Sequence, residues 1–221
     1  MKINTADTVF VFDLDDTLYK EADYHISGVQ AVSSKVKQVY GFDVGSYLKT
    51  KIENGETDLW GSLCNHFKLP ATVKDSLIWE YRLHTPDIKL SDSTKSLLSW
   101  LEEKSAGVAI LTDGRSITQR LKINALGLAY LPAFISDEYG EVKPDPVRFK
   151  SIERQYPNKK YIYIADNLAK DFLAPNELGW TTFGLKDDGH NIHPQNITNF
   201  DQPYLPDYWL LELEELKEFI C

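Results

Sequence analysis

The run Thr8-Val9-Phe10-Val11-Phe12-Asp13-Leu14-Asp15-Asp16-Thr17 decides the fold. Val9 to Phe12 are β-branched and aromatic, the composition of a buried parallel strand, and they run directly into an acidic turn. Open α/β sheets bind their ligands at the carboxyl ends of their strands, so Asp13, Asp15 and Asp16 fall where chemistry is expected. Clustered carboxylates repel one another, and such a group makes sense if a cation lies among them or one keeps a proton. A plain Asp-rich turn is the other reading, because Asp and Thr are ordinary turn formers.

Outward from this strand the pattern turns helical. Ile26, Val29, Val32, Val36 and Val39 recur at three- and four-residue steps, predicting one helix with a single apolar face that ends near Gly41. Further helices are expected around Val44–Ile52, Leu59–Phe67 and Val73–Leu83, interrupted by Gly55 and Pro70. No strand is legible here, so residues 21–89 read as a separate helical lobe inserted over the acidic edge, with residues 1–20 and 90–221 forming the other domain.

From Ser91 strands and helices alternate. Ser91 or Asp92 caps a helix carrying Leu97, Leu98 and Leu101. Strands are expected at 107–112, 133–136, 161–165 and 180–184, with helices at 116–126, 146–156 and 173–178 between them. This alternation implies an α/β fold with a parallel sheet and right-handed crossovers. Residues 186–206 read as a surface loop, with His190 and His193 in it as surface residues, and Leu211–Ile220 as a final amphipathic helix.

Parallel strands present their carboxyl ends on one edge. The first delivers Asp13 and Asp15, the second Thr112 with Asp113 and Gly114 behind it, the third Lys143 a few residues on, and the fourth Asp166 with Asp171 following. Carboxylates, a hydroxyl and an ammonium on one edge suit phosphoryl transfer, which needs a nucleophile, charge neutralisation and positioned donors. The expected roles are Asp13 as nucleophile forming an aspartyl-phosphate, Asp15 as acid and then base, and Thr112 and Lys143 as catalytic donors to the phosphoryl group. Asp113 and Gly114 join Thr112 and Lys143 as expected substrate-binding positions, and Asp13 and Asp166 are expected to hold Mg²⁺.

Read together, Asp13-Leu14-Asp15-Asp16-Thr17, Thr112, Lys143, and Asp166 with Asp171 resemble, in order, the four motifs of the haloacid dehalogenase superfamily. The resemblance covers the whole chain and implies a Rossmann-like core, a mobile helical cap inserted after the first motif, Mg²⁺ dependence and, most often, phosphatase activity. It also implies the Asp15 carbonyl and Asp171 as further metal-site members. An acid at position 15 favours phosphate esters over halides, since halide departure needs no proton donor. Two departures from the family pattern are Ala165, where Gly is common, and Asp113, where Asn is common.

The expected substrate is a small phosphorylated metabolite, a sugar phosphate or nucleoside monophosphate, because a closing helical lobe excludes macromolecules. Arg82 and His84, in Tyr81-Arg82-Leu83-His84, are candidate contacts to its leaving group or phosphate. A phosphomutase of the same fold, or a non-catalytic module binding a phosphorylated ligand or a protein, remains the alternative. With 24 basic against 33 acidic side chains and a net charge of −9, no nucleic-acid or membrane-surface role is expected. No stretch reaches the ~20 apolar residues of a membrane span, and Cys64 and Cys221 lack metal-ligand spacing. The chain is therefore expected to be cytoplasmic, with free thiols, as a monomer or homodimer.

Overall fold

The computed structural model describes residues 2–193 and 195–220. Along the chain, β1 (Thr8–Phe12) leads to four helices: α1 (Glu21–Tyr40), α2 (Gly45–Glu53), α3 (Leu59–His66) and α4 (Val73–Leu83). There follow α5 (Asp92–Lys104), β2 (Gly107–Thr112), α6 (Ser116–Ala125), β3 (Ala133–Ile135), α7 (Ser136–Tyr139) and α8 (Val147–Gln155). The remainder is β4 (Lys160–Ala165), α9 (Leu173–Glu177), β5 (Thr181–Leu185), β6 (Tyr208–Leu210) and a 3-10 helix at Leu213–Phe219. These elements form two compact units, Met1–Ala22 with Lys89–Cys221, and Asp23–Ile88.

In the first unit the sheet order is β3-β2-β1-β4-β5-β6, and every neighbouring pair is parallel. The chain builds outward from β1 to β3, then returns to place β4 on the other side of β1. Right-handed crossovers in both directions put helices on both faces, giving a Rossmann-like α/β fold. All five residues of β1 are buried, as a central strand covered on both sides requires. Val9, Val11, Ala109, Leu111, Tyr163 and Ala165 pack on one face against Phe149, Ile152 and Trp180. Phe10, Phe12, Ile110 and Ile164 alternate onto the other face and are equally buried. The strand order reverses between β1 and β4, which is where such sheets open a crevice for ligands.

The end of the chain departs from expectation. Instead of a helix over Leu211–Ile220, Tyr208–Leu210 pairs with β5 as an edge strand, and a 3-10 helix follows. The aromatic pair Tyr208-Trp209 gains more from the open edge of β5 than from a helix, an override of local pattern by tertiary pairing.

The second unit has its own core of Val32, Val36, Val44, Leu48, Leu59, Leu63, Cys64 and Leu77. The expected α1 stripe is only partly buried, since Ile26 is 54% and Val39 61% exposed. At 3.6 residues per turn Ile26 lies roughly 120° around the helix from Val32, and Val39 falls in the last turn past Val36. Gly28 permits the close packing of α1, because a Cβ there would lie 2.5 Å from the Tyr81 ring. Cys64 is a buried free thiol, and Cys221 lies outside the described residues. No helix among the described residues is long and apolar enough to cross a membrane.

Candidate active site

The first two strand ends to meet are those of β1 and β4. Asp13 continues the β1 ladder by donating its N–H to the Ile164 carbonyl, 2.9 Å, which fixes its side chain beside that of Asp166. Lys143 reaches in from the loop before α8, with a side chain that is completely buried. Its ammonium contacts Asp13 Oδ1 at 2.8 Å, Asp171 Oδ1 at 2.6 Å and the Tyr163 hydroxyl at 3.1 Å. Those three partners use all three ammonium hydrogens. Burial works against the Lys143 charge, but Asp13 and Asp171 outweigh it and hold the pKa well above its ordinary value. Asp171 is also braced from its other oxygen, which accepts the Asn167 N–H at 2.8 Å.

Asp13, Asp166 and Asp171 each offer an oxygen within 4.8 Å of the others. Burial raises Asp13 to about 6 despite Lys143, with Asp171 adding to the rise. Burial, helped by Asp171, Asp13 and Asp16, raises Asp166 to about 8. An all-oxygen set of crowded carboxylates that hold protons so tightly suits a hard divalent cation such as Mg²⁺, which replaces those protons. Asp13 and Asp166 are the better ligands of the three, because both Asp171 oxygens already accept hydrogen bonds.

Asp15 sits in a different environment. Lys122 Nζ lies 2.8 and 3.0 Å from its two oxygens, Gln119 Nε2 lies 2.9 Å from Oδ2, and the Tyr19 hydroxyl donates to Oδ1. Burial opposes its charge, but Lys122, Tyr19 and Gln119 prevail and lower its pKa. Asp16 sits at φ 54°, the left-handed region that Asp tolerates, and its carboxylate accepts from Glu21 N and Ile192 N, both at 2.9 Å. Glu21, beside this turn, is raised to about 7 by burial and by Asp15.

From the end of β2, the Thr112 hydroxyl accepts from Gln119 Nε2 at 2.7 Å, which leaves its own proton to be donated. The same Gln119 nitrogen lies 2.9 Å from the Asp113 carbonyl oxygen, so its two hydrogens serve three acceptors. Asp113, expected as a substrate-binding position, is tied to Arg148, whose side chain is fully buried and offsets the added carboxylate charge. Arg148 also donates to the Thr112 carbonyl at 2.7 Å and to Glu141. The Gly114 N–H is taken by Ser136 Oγ at 2.9 Å, so in this structure it serves the turn.

Arg82 and His84 belong to the helical unit. Arg82 lies over the Trp79 ring, 5.6 Å from its centroid. His84, expected to touch the substrate, is only 6% exposed and braces its own unit. Its Nδ1 lies 2.7 Å from the Tyr81 carbonyl and so carries the proton, while Nε2 accepts from Ser27 Oγ at 3.1 Å. The Ser27 oxygen in turn accepts from Asp87 N at 2.8 Å. This unit also holds a cleft of about 540 Å³ bordered by Ile26, Val29 and Ile52, which lacks the clustered carboxylates of the strand ends.

Gln119, Lys122, Arg148 and Asn191 are site residues that the sequence reading missed. Gln119, Lys122 and Arg148 had a signal, being polar side chains on the buried faces of α6 and α8 next to Ile123, Phe149 and Ile152. Asn191 had none: it comes from the loop after β5, where its Nδ2 donates to Asp166 Oδ2 at 2.9 Å and its Oδ1 accepts from Lys20 at 3.0 Å. His193, read as a surface residue, is exposed, and it also borders the same cavity as Asp13 and Lys170.

Comparisons with known proteins bear on the family and the fold. A family profile described as haloacid dehalogenase-like hydrolase matches residues 8–179. The chain is 24% identical to the glyceraldehyde 3-phosphate phosphatase of Methanocaldococcus jannaschii, over 95% of each chain. It is likewise 24% identical to the ribulose-1,5-bisphosphate 5-phosphatase of Halopiger xanaduensis, over 79% of this chain and 83% of that one. Among solved structures, a magnesium-bound HAD-hydrolase of Bacillus subtilis, YfnB, superposes with a TM-score of 0.66 at 20% identity, covering 96% of this chain and 98% of that one. The profile runs through every strand end that contributes to the acidic crevice, from Asp13 to Asp171, and the chain belongs to the haloacid dehalogenase-like hydrolases.

Proposed function

We propose that the chain is a Mg²⁺-dependent phosphatase that hydrolyses a small phosphorylated metabolite through an aspartyl-phosphate on Asp13. As a phosphoric monoester hydrolase it has relatives named for sugar phosphates, which favours that class over nucleoside monophosphates. The observation that carries the reading is the buried Asp13 held 2.8 Å from Lys143 and next to Asp166 and Asp171. A nucleophilic carboxylate must meet an anion, and only a site with fixed positive charge permits that approach. Asp13 and Asp166, with the Asp15 carbonyl, would hold Mg²⁺, which when bound would neutralise the charge of the phosphate oxygens.

In the first half-reaction a carboxylate oxygen of Asp13 bonds to phosphorus while the bond to the leaving oxygen breaks. The electron pair leaves with that oxygen, which takes a proton from Asp15. In the second half a water loses its proton to Asp15 and attacks phosphorus, releasing phosphate and restoring Asp13. Against burial, Lys122, Tyr19 and Gln119 lower the pKa of Asp15 and keep it ionised, the state the base half uses, so the acid half requires Asp15 to take up a proton from solvent before the leaving oxygen departs. Thr112 donates its hydroxyl to the phosphoryl group. Lys143, with its hydrogens already committed to Asp13, Asp171 and Tyr163, acts chiefly through its charge.

The test is phosphate release from sugar phosphates and an aryl phosphate, with Mg²⁺ or EDTA, by wild type and Asp13→Asn. Turnover should require Mg²⁺ and fall about 10⁴-fold or more in the variant, the scale of losing a nucleophile. Comparable turnover by Asp13→Asn would sink the mechanism.

A further inference from the structure

The cavity at the strand ends has a volume of about 100 Å³. At roughly 30 Å³ per water molecule, that is room for a phosphoryl group and little else. A second cavity of about 330 Å³ adjoins it, and the two share Asn167, Lys170 and His193 as a common wall. Gln195 and Phe200 continue the lining of the larger one. Its border contains a lysine, a histidine and two carboxamides but no carboxylate, although acids outnumber bases 33 to 24 in the chain and crowd the smaller cavity.

The wall is built rather than loose. Gln195 Nε2 donates to the Asp166 carbonyl at 2.7 Å and to the Leu185 carbonyl at 2.6 Å, and its Oε1 accepts from Asp187 N at 2.8 Å. On the other side of His193, the Ile192 N–H is fixed to Asp16. The loop carrying His193 is therefore anchored near both ends to residues of the catalytic edge. Lys170 Nζ lies 3.8 Å from Asp113 Oδ2, a loose contact with a carboxylate that Arg148 already neutralises.

Resting on the phosphatase reading, we propose that this second cavity is a subsite for another anionic group of the substrate, a carboxylate or a second phosphate. Lys170 and His193 are its recognition residues. Both line the two cavities; Lys170 follows the catalytic edge directly and contributes to either anion, and His193, on the loop after β5 beside Gln195, is assigned to discriminate substrates bearing the second anion from those that lack it.

The test compares n-propyl phosphate, 3-phosphooxypropanoate and propane-1,3-diol bisphosphate as substrates of wild type and His193→Ala. Affinities of the same compounds for Asp13→Asn and for Asp13→Asn/His193→Ala are measured by calorimetry with Mg²⁺ present. In wild type kcat/KM should favour one or both doubly anionic substrates by about tenfold or more, the yield of a charge-assisted contact, mainly through KM. The favoured compound identifies the group as carboxylate or phosphate. In His193→Ala the ratio should fall to within about threefold of unity, a loss of roughly the same contact. Equal kcat/KM in wild type, or a preference that persists in His193→Ala, overturns the subsite. If wild type releases phosphate from none of these or the sugar phosphates, the phosphatase reading fails. The calorimetry then decides the subsite alone: tighter binding of a dianionic compound that depends on His193 sustains it, and equal binding overturns it.

Discussion

The two units differ in what they bury. Within Asp23–Ile88 the buried polar side chains among the described residues are Ser27 and His84, and the core cluster is valine, leucine and a cysteine, with Tyr24 and Ile88 also buried. The α/β unit buries Asp13, Lys122, Lys143, Arg148, Asp166 and Asp171. Taking such charges out of water costs several kcal/mol each, and replacing a buried pair by apolar residues is often neutral or stabilising. The helical unit shows that this chain can build an interior without them. The charges of the α/β unit are concentrated at the strand ends, a placement that stability does not require and that the proposed chemistry uses.

The contrast predicts different responses to substitution. Lys143→Met leaves Asp13 and Asp171 buried without their shared cation, and should cost about 3–5 kcal/mol in denaturant unfolding, the scale for breaking a buried pair. Stability equal to wild type would mean that the carboxylates simply take up protons. Leu48→Ala, at a fully buried position of the helical core, should cost about 2–5 kcal/mol through a cavity. Hydrogen exchange should locate that loss in residues 23–88 while β1 and β4 amides keep their protection, and loss spread evenly over both units would erase the comparison.

The acidic cluster gives a pH signature that the helical unit lacks. Folded Asp13 and Asp166 hold protons up to about 6 and about 8, above the ordinary 3.8. For carboxyls raised on folding, the contribution to stability is complete below pH ~4 and is lost as pH rises through the folded values. If Mg²⁺ binds there as proposed it displaces those protons, so the stability gained on adding it, read by thermal unfolding, should grow between pH 5 and pH 8, reaching about 2.7 kcal/mol at a hundredfold excess over Kd. A gain that is flat with pH would place the ion elsewhere. The smallest effect belongs to Ser27→Ala, which removes the hydroxyl between His84 and Asp87 and should cost about 1 kcal/mol in thermal unfolding. An unchanged Tm would mean that a water takes its place.

Much of the α/β fold was legible in sequence. Strand composition at Val9–Phe12 and at Tyr161–Ala165, and the Ser91 cap that accepts Thr94 N at 3.0 Å, are local signals that the packing reinforces. The strand ends carrying Asp13, Thr112 and Asp166 follow from parallel topology alone. What stayed hidden depends on partners far along the chain. Lys122 lies 107 residues from Asp15 and looks like any helix lysine until α6 is packed. Asn191 reaches Asp166 from a loop with no periodicity, and β6 exists only because β5 offers it an edge. For His84, the sequence offers no sign that Ser27, 57 positions earlier, hydrogen-bonds its ring.

Gln119 joins two of these hidden connections, since one amide nitrogen touches both the Asp15 carboxylate and the Thr112 hydroxyl. The group proposed to move protons and the group proposed to grip phosphate therefore share one partner on α6, and Lys122 of the same helix adds a second hold on Asp15. Any displacement of that helix is registered by both in the same instant. Substitutions at Gln119 should therefore alter the two proposed roles together rather than tune either by itself.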